Sequence, residues 1–232
     1  MKKFNFIPTR AAGLERLKIF LPSAGNNYAA LRNYDLGQNN HTNVSMLSPY
    51  IRHRSLTEIE VLKSVLCYHS KKSSEKFVQE VFWRTYWKGW LEMRPTVWAA
   101  YQSKLNRLSD DLKTQSGFRK SWENACQGET GIECFDSWAK ELFDTGYLHN
   151  HARMWFASIW IHTLKLPWEL GADFFLRNLL DGDPASNTLG WRWVGGAQTF
   201  GKTYLASTQN IQKYTKDRFS PTNLSPTPTM IS

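Results

Sequence analysis

The 232-residue sequence predicts an all-α fold. Two observations carry that reading. Apolar residues recur at three- and four-residue spacing over several long windows, and no run alternates polar and apolar residues as a half-buried strand does. Eleven Trp, thirteen Phe and nine Tyr further suit a helical core built from large rings.

Taken in order, residues 22–43 are rich in Gly, Asn, Pro and Tyr and read as loop. Ser55-Leu-Thr-Glu58 has the spacing of a capping box and opens a helix that runs to about Tyr68. Between Glu75 and Glu92, residues Phe77, Val81, Trp83, Trp87 and Trp90 fall at near-helical spacing. A helix over Cys134–Asp144 should stop at Gly146, which can take the left-handed backbone of a C-terminal cap. His149–Thr163 is apolar almost all round, as a buried helix is. Trp168–Leu180 and Asp183–Trp193 give two more helices. The Pro-, Ser- and Thr-rich stretch 218–232 predicts a disordered tail.

Charge is uneven. The net charge is +9, and residues 1–120 hold 20 Lys+Arg against 9 Asp+Glu while the remainder is slightly acidic. A basic half points to a polyanion, most simply nucleic acid. Cys67, Cys126 and Cys134 form no CxxC pair, so neither a zinc site nor a disulfide framework is predicted, and the compartment reads as reducing and cytoplasmic. The longest strongly apolar run, Met154–Ile161, is too short to span a bilayer.

Gly196-Ala-Gln-Thr-Phe-Gly201-Lys202-Thr203 matches the phosphate-loop pattern GxxxxGK[ST]. That chemistry needs a buried strand before the loop, and Gly190-Trp-Arg-Trp-Val194 is a poor candidate for one. We set the match aside. GxGxxG is absent as well.

The chemistry-bearing residues lie elsewhere. Glu80, Trp83 and Arg84 share one helical face, which places a carboxylate, an indole and a guanidinium together. Asn150, Arg153 and Met154 share a face of the apolar helix. An arginine there requires a partner, and Asp181 and Asp183 are the natural ones. By themselves these sets also fit a surface ion pair, a core Trp and a helix cap.

Together with Thr145-Gly-Tyr-Leu-His-Asn-His-Ala-Arg-Met154 and Leu180-Asp-Gly-Asp-Pro-Ala-Ser-Asn-Thr-Leu-Gly-Trp-Arg-Trp193, they resemble the flavin-binding core of the photolyase/cryptochrome family. The resemblance runs from about Tyr28 to Asn210. It implies a helical FAD-binding domain over residues 28–217, preceded by an extension (1–27) and without the α/β antenna domain that family members usually carry before it. It implies FAD held by Tyr28, Val44, Ser45, Met46, Leu47, Ser48, Arg84, Arg153, Asp181, Asp183 and Asn187. Val44 replaces the family's usual Thr, removing a hydroxyl. Asn187 stands where the family faces the flavin N5.

The resemblance further implies that Glu80, Trp83, Asn150 and Met154 line the cavity for a flipped-out pyrimidine dimer, with Arg32 on the DNA. Asn150 and Met154 match enzymes for the cyclobutane dimer, since enzymes for the (6-4) photoproduct carry His at both places. The implied activity is light-driven repair of UV-damaged DNA; the alternative is a cryptochrome-like sensor or a DNA-binding flavoprotein without repair. A separate antenna protein is a conceivable partner. Trp191 and Trp168 align with the inner and middle members of the family's tryptophan chain. The outer member should fall near Leu112, leaving Trp122, Trp155 or Trp160 to complete the chain or the chain broken.

Overall fold

The aromatic stripes and caps assemble into helices stacked in two halves around a central cleft. A computed structural model describes residues 6–38, 40–199, 202–229 and 231. The first half comprises α1 (Arg10–Phe20), α2 (Asn26–Leu31), α3 (Ser48–Arg52), α4 (Glu58–Tyr68) and α5 (Lys71–Glu92). The second comprises α6 (Pro95–Thr114), α7 (Ser116–Gln127), α8 (Glu133–Thr145), α9 (Asn150–Ser158), α10 (Trp168–Asn178), α11 (Pro184–Gly195) and α12 (Thr208–Tyr214). No strand occurs among the described residues, so the loop from Gly196 has no strand before it, and Phe200 and Gly201 lie outside them. None of the described helices is long and apolar enough to cross a membrane.

Local chemistry explains the boundaries. The capping box at α4 is formed by Thr57 and Glu60, two residues later than expected: the Thr57 hydroxyl accepts from the Glu60 amide at 3.2 Å, and the Glu60 carboxylate accepts from the Thr57 amide at 2.9 Å. Glu58 is drawn away to Arg54 and Arg84. Gly146 and Gly196 end α8 and α11 in the left-handed conformation at φ 67° and 88°. The predicted helix from His149 to Thr163 begins as α9 and finishes as a π-helical turn over Ile159–Thr163. Helices α1, α2, α3, α6, α7 and α12 were not anticipated.

Two boundaries of the expected domain plan are corrected. Residues 10–27 are no extension: Leu17, Phe20 and Ala24 share a core with Tyr28, Tyr50, Leu56 and Phe77. Nor is the tail loose. Arg218 donates to the Asp35 carbonyl and carboxylate at 2.7 and 2.9 Å, and Phe219 packs edge-on against Trp138 at 5.7 Å. The Ser225 amide donates to the Thr163 hydroxyl, and the Thr229 amide to His162 Nδ1. The prolines set the stretch's irregular backbone; these few anchors fix its position.

The larger core packs Phe135, Phe156, Trp160, Phe174, Phe175 and Trp191 ring against ring. Trp191 lines the cleft and packs against α10 at Gly171. A Cβ there would lie 2.3 Å from Trp191 Cη2, so only glycine lets this indole lie flat against the helix. Gly171→Ala is expected to lower the unfolding free energy by about 1–3 kcal/mol through overpacking. Urea titration should show an earlier midpoint with unchanged slope; an unmoved midpoint would mean that the indole has room to shift.

Candidate functional site

Between the two halves lies a cavity of about 780 Å³. Helices α2, α3 and α5 form one wall with Tyr28, Arg32, Ser45, Ser48, Glu80, Trp83 and Arg84. Helices α9 to α11 form the other with Asn150, Arg153, Met154, Asp181, Asp183, Asn187 and Trp191. Residues more than 150 positions apart thus face one space.

The charges in these walls are paired. Arg153 donates to Asp181 at 2.9 Å and to the Leu148 carbonyl at 2.9 Å, and lies over the Tyr147 ring. Desolvation works against its charge, yet Asp181 prevails and raises its pKa above the ordinary arginine value. Asp183 caps α11, accepting from the Ser186 amide at 2.9 Å, and faces Arg84 at 3.4 Å and Lys88 at 3.6 Å. Burial pushes its pKa up, but the Ser186 amide and the two cations outweigh that and hold it below the usual aspartate value. Arg32 and Glu80 form a third pair, which also lines a second cavity of about 340 Å³ together with Val44, His151, Asn210 and Tyr214. Burial, then Glu80, pushes the Tyr28 phenol up to about 12, so it stays neutral.

Several expectations are refined. Arg153 takes Asp181, and Asp183 belongs to Arg84 and Lys88. Arg32 is engaged with Glu80. Of the segment Val44–Ser48, the main cavity receives Ser45 and Ser48, and Val44 faces the smaller one. Met46 and Leu47 are buried. Met46 has a left-handed φ of 53°, which turns the chain so that the two serines face inward. The Nδ2 of Asn187 donates to the Ala172 carbonyl at 2.7 Å, leaving its amide oxygen as the free end. His149 and His151 flank Asn150 but do not line the main cavity. Burial lowers both pKa values, that of His149 to about 4, so both imidazoles are neutral near pH 7.

Trp87, Trp90 and Trp193 also line the cavity and were not expected as site residues. The first two continue the face of Glu80 and Trp83 by one and two turns, a signal present in the spacing. Trp191 is buried at the cavity wall, and Trp168 lies one turn before Gly171 on α10. Trp155 and Trp160 are fully buried and cannot be a surface terminus. Trp168 instead stacks on Tyr101 at 5.4 Å, and Tyr101 packs on the half-buried Trp98 at 5.2 Å.

A cavity this long, with hydroxyls at one wall, paired charges at another and indoles between, defines a binding domain for an extended, partly anionic, partly planar cofactor. The buried Asp181 Oδ1 and Ser186 Oγ have no partner among the described residues, as expected of groups that await a ligand. The chain belongs to the family described as the FAD-binding domain of DNA photolyase, whose model matches residues 77–219. FAD is the cofactor of that domain, and the residues present fit it.

The chain is 29% identical over 199 residues to the deoxyribodipyrimidine photo-lyase of Alkalihalophilus pseudofirmus, covering 83% of this chain and 39% of that protein. It is 32% identical over 156 residues to that of Streptomyces griseus, covering 67% and 32%. It therefore spans about two fifths or less of these relatives' length. A class III photolyase from Agrobacterium tumefaciens has the same fold, with a TM-score of 0.74 at 24% identity over 90% of this chain and 43% of that one. A Synechocystis cryptochrome aligns with a TM-score of 0.71 at 25% identity over 91% and 44%.

The Asp183 pKa sets a pH test. A carboxyl held below its unfolded value contributes stability above that value, roughly 3.9, and loses it as pH falls through the folded one. Asp183→Asn should therefore be less stable than wild type at pH 7, with the gap closing in acid below pH 4. Urea midpoints at the two pH values measure it, and a gap independent of pH would show that the carboxylate charge contributes nothing.

Proposed function

We propose that the chain repairs UV-damaged DNA in the light, splitting cyclobutane pyrimidine dimers. The observation that carries this reading is the continuity of one cavity from the FAD-binding walls to an open, indole-lined mouth bearing Glu80 and Trp83. FAD, when bound, reduced and excited by blue light, would lend an electron that opens the ring and then returns, with no net redox change. The protein binds, orients and excludes water.

Trp83 presents a flat apolar face to the flipped dimer, and Met154 closes the opposite side. Glu80, steadied by Arg32, accepts from a thymine N–H. The Asn150 amide reaches Met154 Sδ at 3.9 Å and faces the same space, fit to hydrogen-bond the dimer's carbonyl edge. Arg153 with Asp181, the free oxygen of Asn187, and Arg84 with Asp183 orient the cofactor; Ser45 and Ser48 supply hydroxyls for its diphosphate. The basic balance of residues 1–120 attracts the DNA backbone.

Electron supply follows the rings. Trp191 borders the cavity, and Trp168, Tyr101 and Trp98 lead from the core to the surface. Tyr101 is buried and its hydroxyl has no partner among the described residues to take a proton, so it serves as a spacer and Trp98 as the outer donor. A light sensor is the second reading, since such a series serves a sensor equally well. The exposed Trp83 beside Glu80 favours repair, because a sensor needs no open mouth.

The deciding experiment illuminates FAD-loaded, reduced protein with UV-irradiated oligothymidine and follows recovery of thymine absorbance against a dark control. Light-dependent recovery is expected; flavin binding without recovery would select the sensor. Trp83→Ala should keep its flavin and lose roughly tenfold or more in affinity for damaged oligothymidine, since one base–ring stack contributes about 1–3 kcal/mol. Undiminished affinity would remove Trp83 from the dimer site.

A separate prediction concerns Trp98. With oxidised FAD bound and a soluble thiol as reductant, Trp98→Phe should photoreduce severalfold more slowly than wild type, while Trp122→Phe should not. Equal rates for wild type and Trp98→Phe would place the outer donor elsewhere.

A further inference from the structure

The outer stripe of α5 is only partly used by the fold. Trp83, Tyr86, Trp87 and Trp90 stand at i, i+3, i+4 and i+7, and all four reach the cavity mouth. Trp83 and Trp87 are stacked at 5.4 Å and 26°. Tyr86 stands edge-on to Trp83 at 5.4 Å and tilted against Trp87 at 5.3 Å. Leu91, Ala185 and Leu189 support Trp87 and Trp90 from below. The rings thus form one cluster, yet Trp83 is 47% and Tyr86 53% exposed, and the preceding residue Phe82 56%. Apolar surface of this size left in water at the rim of a binding cavity marks an interaction site.

We propose that this stripe is a stacking platform for unpaired nucleotides of the strand that enters the cavity, with Tyr86 taking a base next to the flipped pair. Three observations select a nucleic-acid strand over a polypeptide. The platform is continuous with the cavity mouth and shares Trp83 with it. Glu80 and Asp183, the acids that reach the cavity beside it, are already neutralised by Arg32, Arg84 and Lys88. Exposed cations flank the stripe: Lys71, Lys72 and Lys76 stand at one end of α5, and Arg94 lies over the Trp90 ring at 4.4 Å at the other. Rings between cations are what a single strand needs, since its bases stack and its phosphates pair. A duplex keeps its bases stacked inside and gains nothing from Tyr86.

The proposal rests on the repair reading for what occupies the cavity, but strand binding itself requires neither flavin nor light. The test titrates the full chain with undamaged fluorescein-labelled oligothymidine and, separately, with a blunt duplex of mixed sequence. Tyr86→Ala should bind the single strand about tenfold more weakly, the loss of one base–ring stack. It should bind the duplex as wild type does, and the slope of affinity against salt should not change, because a ring displaces no counterions. Tyr86→Phe keeps the ring and should bind the strand as wild type does.

Wild-type strand affinity in Tyr86→Ala would overturn the proposal, and so would Tyr86→Phe as weak as Tyr86→Ala, or equal losses on strand and duplex. If dimers are repaired but Tyr86→Ala binds normally, the platform fails and the repair reading stands. If Tyr86→Ala loses strand affinity and no dimer is repaired, the reverse holds.

Discussion

The turn from Leu180 to Asp183 joins the two halves, and the rest of the molecule is arranged around it. Its carboxylates receive Arg153 from α9, and Arg84 and Lys88 from α5. Its carbonyls receive Arg52 at 2.7 Å on Gly182 and His53 at 2.9 Å on Leu180. Donors from as far as 130 positions away therefore converge on these four residues. Gly182 is needed there because a Cβ would meet the Leu176 and Leu179 carbonyls at 3.0 Å. Removing one partner of such a set leaves a buried charge without a counter-ion, which costs more than the pair contributes.

That turn also explains how a cleft this large persists in a small helical domain. An apolar cavity of this size would tend to close by collapse of its walls, since empty space forfeits dispersion contacts. Here the walls carry paired charges whose desolvation on collapse would be costly, and both walls are anchored to the same turn. The pairs hold the cleft open and present polar atoms inward, Asp181 Oδ1 and Ser186 Oγ among them. Cofactor binding then fills a prepared site, which lowers the entropic cost of binding.

Elements with wide apolar faces were legible in the sequence. α9 and α10 could be read because most of their residues are buried, and α8 because Gly146 marks its end. Helices α6 and α7 escaped because few of their residues are buried: Tyr101, Leu108 and Leu112 on the first, Ala125 on the second. Most of the site was legible through local spacing joined to a family likeness. Periodicity could not assign partners: which carboxylate takes Arg153, or that Arg32 faces Glu80, depends on how the halves close. Nor could it show that Phe219 and Arg218 tie the tail to Trp138 and Asp35, because those contacts join positions far apart in the chain.

The aromatic excess divides into two populations with different physical causes. Phe135, Phe156, Trp160 and Phe174 are buried and make ring contacts throughout, so folding alone accounts for them. Trp83, Tyr86 and Phe82 stand in water on one helix, where folding gains nothing from their size and a lysine or glutamate would serve the helix better. Composition counts both populations alike and cannot separate them. Exposure does, and it places Trp83 and Tyr86 of the second population on the rim of the cavity that holds Glu80, Asn150 and Met154. The buried rings build the walls that orient a cofactor; the exposed ones remain free for a planar ligand arriving from solvent.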